Sequence, residues 1–139
     1  MALSEERRAQ LGAIADQLIP AGSGMPSASA AGVSGTFLDE VLAARPDLAA
    51  PLDSALASVD GLSAEDALAS LRGNPDGWGV LTAVVPAAYF LNPAMREAIG
   101  YPGLEARPID PDLAPDYLAD GLLDSVVARG PVYRPTPAD

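Results

Sequence analysis

A chain of 139 residues in which 49% of the side chains are hydrophobic can bury the core of one domain, and it contains no cysteine, histidine or lysine. These absences exclude disulfides, thiolate and imidazole metal ligands, an imidazole base and a Schiff-base amine. The net charge of −11 opposes binding to nucleic acids and to anionic membrane surfaces. The carboxylates, hydroxyls, tyrosines and arginines that remain offer poor catalytic chemistry, so we expect no catalytic residue, no cofactor and no metal site in this chain and rank a free-standing enzyme last among the possible functions.

The first hundred residues predict an all-α domain that begins with an amphipathic helix. Ser4 is suited to the N-cap of this helix, because its hydroxyl can accept a hydrogen bond from the first turn. An apolar stripe at helical spacing runs from Leu11 to Ile19, and Pro20 closes the helix. The small residues 21–33 predict a loop, which either joins two helices or lines the active site of a partner.

Three more short helices are predicted before the middle of the chain. The second helix begins at Ser34 or Thr36 and is broken before Pro46. The third begins at Pro46, which suits a first turn, and is ended by Gly61. The fourth begins at the capping sequence "SAED".

The most apolar segment, Trp78 to Leu91, predicts the central buried helix, with a kink at Pro86. The sequence "RGNPDGWG" in front of it is typical of a turn. Asn92 and Pro93 are a cap and a first-turn proline, and they predict another short helix up to Ile99. We expect about five short helices in all and no β-sheet.

Residues 101–139 predict a long, extended, proline-rich C-terminal arm after a helical core of residues 1–100, and we treat 1–139 as a single domain. Single apolar residues alternate with prolines along the arm, and only Asp116 to Ala128 could form a further helix. Proline stiffness lowers the entropy lost on docking, so such an arm can bind along another surface. The sequence leaves open whether that surface belongs to a partner or to the chain's own helices.

Two features bear on cellular location. Arg7 and Arg8 are similar to the arginine pair of an export signal, but the residues after them form an amphipathic pattern that includes Asp16. The run from Trp78 to Leu91 is shorter than the roughly 20 residues that cross a bilayer. We expect a cytoplasmic protein without membrane insertion, or a periplasmic one if it is exported with a partner.

Three stretches of the chain form a recognisable pattern when their order along the sequence is considered. The first, "LGAIADQLIPAGSGMPSASAAGV" (11–33), is a helix ending in Leu-Ile-Pro and a loop of small residues. The second, "AAYFLNPAMREAIGYPG" (87–103), combines aromatic residues, Asn-Pro and Gly-Tyr-Pro-Gly, and the third is "RGPVYRP" near the C-terminus. In this order they resemble the gluconate 2-dehydrogenase subunit 3 family, and the resemblance spans most of the chain.

The resemblance implies a non-catalytic accessory subunit of a large FAD-containing oxidoreductase of the glucose–methanol–choline type. FAD and the catalytic base would lie in the large subunit, a dehydrogenase or oxidase of sugars or glycosides. The small subunit would stabilise the large one and could shape its substrate entrance. Family members commonly carry a twin-arginine signal, and this chain departs from them because no uncharged apolar region follows Arg7 and Arg8. The alternative is a stand-alone helical module that binds a small apolar ligand or a protein partner.

The candidate interface residues are apolar, aromatic or arginine side chains in the loop, in the apolar segment and in the arm. They are Met25, Pro26, Trp78, Tyr101, Tyr117, Arg129, Val132, Tyr133 and Arg134. Tyr89 and Phe90 could instead form a ligand wall, but helical spacing next to Val85 and Leu81 favours a place in the core.

The aspartates of the arm could suggest an acidic cluster. They are Asp110, Asp112, Asp116, Asp120 and Asp124. We interpret them as a solvated face, because no Glu-x-x-His sequence is present to complete a di-metal site. Asp53 with Glu65 or Asp66 could suggest the carboxylate pair of a glycosidase. We interpret these residues as solvated too, since an acidic chain supplies such pairs by chance.

Overall fold

The computed structural model describes residues 3–104 and 120–132. The chain divides into two compact units, Met1–Gly103 and Leu104–Asp139. Apart from one isolated bridge between Gly22 and Met25, all regular structure of the described residues is helical. The predicted all-α fold is therefore confirmed.

The described residues form seven α-helices and one 3₁₀ helix. In the first unit the helices are α1 (Glu5–Leu18), α2 (Thr36–Ala44), the 3₁₀ helix (Pro46–Leu48), α3 (Ala49–Ala57), α4 (Ala64–Arg72), α5 (Pro75–Leu91) and α6 (Pro93–Ala98). In the second unit α7 (Asp124–Arg129) overlaps the end of the stretch for which a further helix was predicted. Most of the predicted arm, residues 105–119 and 133–139, lies outside the described residues.

Helix α5 is the central buried helix of the first unit, as the sequence predicts. It packs against α2, α3, α4 and α6, while α1 packs against α3 and α4. Leu81, Val84 and Val85 of α5 are almost fully buried, and burial of such a side chain contributes roughly 1.5–3 kcal/mol. Pro86 lies inside the helix, which continues past it to Leu91.

The start of α5 differs from the sequence prediction. The turn predicted over "RGNPDGWG" is wrong from Pro75 onward, because α5 begins there. Asn74 caps the helix: its Oδ1 accepts hydrogen bonds from the backbone N–H groups of Asp76 (3.1 Å) and Gly77 (3.2 Å). Gly77 also allows close packing, since a Cβ there would lie 2.9 Å from Cδ2 of Leu71.

The first helix follows its prediction, whereas the third differs at both ends, because α3 ends at Ala57, before the stop predicted at Gly61. Ser4 is the N-cap of α1 and accepts a hydrogen bond from the backbone N–H of Arg7 at 3.3 Å. The predicted third helix begins as the 3₁₀ helix at Pro46 and becomes α-helical only at Ala49. Its apolar stripe faces the core, where Leu52 and Leu56 are fully buried.

The two arginines near the N-terminus hold α1 against the rest of the first unit. Arg7 forms an ion pair with Asp60, which follows α3, and its Nη2 lies 2.9 Å from Asp60 Oδ2. Arg8 donates to the backbone oxygen of Ser34 (3.0 Å) and pairs with Asp39 of α2 (2.5 Å). The arginine pair therefore acts as a structural clamp between helices in this fold.

Candidate interaction surface

The loop of residues 21–33 is fixed to the end of α5 by two side chains that are distant in sequence. The hydroxyl of Tyr89 donates a hydrogen bond to the backbone oxygen of Pro26 at 2.8 Å. The amide of Asn92 donates to the backbone oxygen of Ala31 at 2.9 Å. Both acceptors are main-chain groups, so these two hydrogen bonds do not depend on the identity of the loop side chains.

A carboxylate of α1 holds the same loop from the other side. Asp16 accepts hydrogen bonds from the backbone N–H of Ser29 (2.7 Å) and from its hydroxyl (2.5 Å). Burial raises the pKa of Asp16, but the hydrogen bonds from Ser29 and Ser27 outweigh burial and keep this pKa below its ordinary value. The carboxylate is therefore ionised at neutral pH and stabilises the loop in that form.

Neighbouring aromatic residues near the end of α5 have opposite environments. The side chain of Tyr89 is 2% exposed, whereas that of Phe90 is 43% exposed. Their rings meet edge to face, with centroids 5.3 Å apart and planes at 86°. The expected place in the core is thus correct for Tyr89 and wrong for Phe90, because successive helical positions point about 100° apart.

Phe90 forms part of an apolar groove between α2 and the C-terminal half of α5, with a volume of about 530 Å³. We call it the Phe90 groove. It is lined by Glu40, Val41, Ala44, Arg45, Ala87, Phe90 and Leu91.

The two charged residues of the Phe90 groove differ in their pairing. Arg45 binds Asp47 in forked geometry, with Nε to Oδ1 at 2.9 Å and Nη2 to Oδ2 at 2.7 Å. These hydrogen bonds from Arg45 lower the pKa of Asp47. Glu40 is exposed and forms no hydrogen bond or ion pair with the described residues. The remaining charge at the groove is therefore that of a carboxylate.

A second cleft, of about 500 Å³, lies around α6 and the Gly-Tyr-Pro-Gly sequence. Its aromatic wall is Tyr101, which is 50% exposed. The backbone N–H of Tyr101 donates to the backbone oxygen of Arg96 at 2.9 Å, which ties the segment after α6 back to that helix. Both this cleft and the Phe90 groove thus use side chains from the stretch 87–103.

The structure places the predicted interface residues at several separate positions. Met25 and Pro26 are half-buried in the loop, and Tyr101 is exposed after α6. Trp78 lies in the first turns of α5, half-buried, with the guanidinium of Arg72 5.4 Å from its ring centroid. These residues do not form one cluster within the first unit, because Trp78 and Tyr101 flank opposite ends of α5.

The remaining predicted interface residues belong to the second unit. Arg129 ends α7 and Val132 follows it, and both side chains are exposed. Tyr117, Tyr133 and Arg134 lie outside the described residues.

Sequence reasoning missed Phe90 as a surface residue. Helical geometry already separates its direction from that of Tyr89, which is the signal that could have found it. Helical geometry alone does not say which of the two residues faces the solvent, because α5 is apolar on almost every side and no polar stripe marks its exposed face.

Two of the carboxylates considered in the sequence, Asp53 and Asp66, have structural partners, whereas Glu65, Asp120 and Asp124 are exposed. Asp53 lies 3.8 Å from Nε of Arg7, and Asp66 accepts a hydrogen bond from the hydroxyl of Ser63 at 2.7 Å. Asp110, Asp112 and Asp116 lie outside the described residues. Within residues 3–104 and 120–132, no group of three or more acidic residues is arranged to hold a metal ion.

Comparison with family models, with curated proteins and with solved structures finds no match to this chain. The resemblance to the gluconate 2-dehydrogenase subunit 3 family therefore rests on the three stretches themselves. None of the described helices is both long and apolar enough to cross a membrane.

Proposed function

We propose that this chain is the non-catalytic accessory subunit of a large FAD-containing dehydrogenase or oxidase that acts on a sugar or glycoside. The observation that carries the proposal is that two exposed aromatic side chains lie within a stretch of the family resemblance. The stretch 87–103, one of the three that carry the family resemblance, also contains the exposed aromatic residues Phe90 and Tyr101. Exposed aromatic side chains on a rigid frame are typical anchors of protein–protein interfaces.

The chemistry of the described residues supports a partner as the site of catalysis. Their core contains no buried polar or charged side chain. A general acid or base usually owes its shifted pKa to burial beside charged neighbours, and the core offers no such group. The whole sequence also lacks histidine, cysteine and lysine. The described surface does offer large exposed apolar and aromatic side chains, which suit binding to a partner.

The anchored loop supports a second part of the proposed role. Because Tyr89, Asn92 and Asp16 fix residues 21–33 from two sides, the loop presents a defined surface instead of a mobile one. Such a surface suits the rim of a substrate entrance on the large subunit.

A second candidate function is binding of a small apolar ligand in the Phe90 groove. The volume of about 530 Å³ falls within the usual range for ligand sites, roughly 300–1,000 Å³. The large exposed fraction of Phe90 favours a protein partner instead, because ligand sites commonly bury most of the ligand surface.

The proposed function is tested by expressing the chain alone and together with the flavoprotein that the proposal expects to be encoded beside its gene. We expect the chain alone to be colourless and the co-expressed pair to elute as one complex with the absorbance of flavin. Separate elution of the two proteins, or flavin bands from the chain alone, contradicts the proposal.

A further inference from the structure

The Phe90 groove has a rigid aromatic anchor. Phe90 packs edge to face on Tyr89, which is buried and hydrogen bonded to the loop through Pro26. A partner that covers Phe90 therefore orders few additional groups, because the ring is already positioned. Exposed aromatic side chains held in this way are typical hot spots of binding.

The charge around the groove indicates what kind of partner fits. Arg45 is paired with Asp47, so Glu40 is the groove residue whose charge the described residues leave unbalanced. The whole chain carries a net charge of −11. A partner surface with basic residues is attracted to this groove, whereas an acidic one is repelled.

The same charges argue against a second copy of the chain as the occupant. Two copies would bring together surfaces from chains of the same net charge, −11. A symmetric contact across the groove would also bring two copies of the same carboxylate-bearing surface into one interface, and like charges at an interface are unfavourable.

We propose that the Phe90 groove docks a segment of a different protein, in which an apolar side chain that covers Phe90 is flanked by arginine or lysine. The apolar side chain fills the space between Val41, Ala87 and Leu91, and the basic residue pairs with Glu40. The proposal rests on the proposed function, in which the segment belongs to the large subunit.

The groove is tested directly with two synthetic helical peptides that share one leucine face. The polar face of one peptide is arginine, and that of the other is glutamate. We expect the arginine peptide to bind saturably at physiological salt and to shift backbone NMR signals of α2 and the end of α5. The glutamate peptide should bind at least about tenfold more weakly. Equal binding of the two peptides, or shifts confined to other helices, overturns the inference.

Matched variants separate the groove from general surface effects. Phe90→Ser should weaken binding of the arginine peptide by about tenfold or more. Leu62→Ser, at a side chain that is 49% exposed, should leave this binding unchanged. Glu40→Gln should weaken binding and reduce its salt dependence, while Glu65→Gln on α4 should do neither. Thermal unfolding of each variant checks that it is folded. Equal effects of the two serine variants overturn the inference.

Co-elution with the flavoprotein distinguishes failure of the groove from failure of the proposed function. If Phe90→Ser and the unaltered chain co-elute equally well, the groove inference is overturned and the proposed function stands. If the unaltered chain does not co-elute but the arginine peptide binds at Phe90, the groove stands and the proposed partner is wrong. Self-association that is lost in Phe90→Ser, measured by sedimentation, also overturns the inference, because the occupant is then a second copy.

Discussion

The loop of residues 21–33 and the C-terminal end of α5 differ in how far their side chains are exposed to solvent. The loop is built of small residues, yet Ala28, Ala31 and Val33 are buried and its backbone is hydrogen bonded to two helices. The end of α5 is almost entirely apolar, yet Phe90 stands 43% exposed beside the buried Tyr89.

The two regions are coupled through a few side chains at the end of α5. Tyr89 and Asn92 anchor the loop, and Tyr89 also supports Phe90. The loop is therefore rigid because α5 holds it, and Phe90 is positioned because the loop completes the environment of Tyr89. Changes in this connection should affect both regions, whereas changes in either surface alone should not.

The largest effect is expected from Tyr89→Ala. It removes a buried aromatic side chain together with the hydrogen bond to Pro26, and we expect a loss of about 3–5 kcal/mol in the free energy of unfolding. The matched change Phe90→Ala should cost only about 1 kcal/mol, because much of that ring is already in solvent. Urea unfolding of the full chain measures both. Similar losses for the two variants would contradict the contrast between these neighbours.

The next largest effect is expected from Asn92→Ala, which tests the link between the helix cap and the loop. Asn92 accepts a hydrogen bond from Ala94 N at 3.0 Å as the cap of α6 and also donates to Ala31 of the loop. Loss of both roles should cost about 2 kcal/mol.

Asn74 provides the control, because it precedes a first-turn proline in the same way but only caps α5. Asn74→Ala should cost about 1 kcal/mol. Hydrogen exchange of the loop amides should increase in Asn92→Ala and not in Asn74→Ala. Equal exchange in the two variants would mean that Asn92 does not hold the loop.

The sequence predicts the helical architecture well, because helical periodicity and caps are local signals. The stripe of α1, the central position of α5 and the cap at Asn92 all follow from residues within one or two turns. The early start of α5 was missed although Asn74 and Pro75 repeat the signal of Asn92 and Pro93. Two glycines around Trp78 are typical of a turn. The structure explains the first of them, Gly77, by its close packing against Leu71.

The candidate surface was less predictable, because it depends on contacts between distant residues. The anchors of the loop are backbone oxygens of Pro26 and Ala31, reached from positions 63 and 61 residues away. No side-chain pattern in the loop encodes those acceptors. The exposed side of α5 is likewise set by the placement of α2, and local periodicity does not contain that information.

The third prediction concerns pH and Asp16. Its pKa in the folded chain is lowered from 3.8, so the folded state binds fewer protons than the unfolded state and stability rises with pH in this range. The contribution is fully present above the unfolded pKa and is lost as pH falls through the folded one. In Asp16→Asn the amide keeps the geometry of the contacts to Ser29 but cannot titrate.

We expect Asp16→Asn to be less stable than the unaltered chain by about 1 kcal/mol at neutral pH, because charge-assisted hydrogen bonds are the stronger ones. The difference should shrink as pH falls below 3.8. The lowered pKa values of Asp47 and Asp60 contribute to acid sensitivity in both proteins and cancel in the difference. Urea unfolding at about pH 6 and about pH 3 provides the comparison, and a difference that stays constant would contradict the role of Asp16.

The smallest effect is expected from Ser23→Asn at the tip of the loop, where the backbone geometry can be improved without touching α5. Gly22 and Met25 exchange two backbone hydrogen bonds of 3.0 and 2.8 Å, and the two residues between them have positive φ angles, 51° for Ser23 and 83° for Gly24. Such a turn favours Asn-Gly, because asparagine tolerates a positive φ better than serine. Ser23→Asn should therefore stabilise the first unit by about 0.5 kcal/mol, while Gly24→Ala should destabilise it by about 1 kcal/mol. Thermal unfolding detects both signs, and binding of the arginine peptide at the Phe90 groove should be unchanged in Ser23→Asn. A change in that binding would show that the loop tip and the groove are coupled by more than Tyr89 and Asn92.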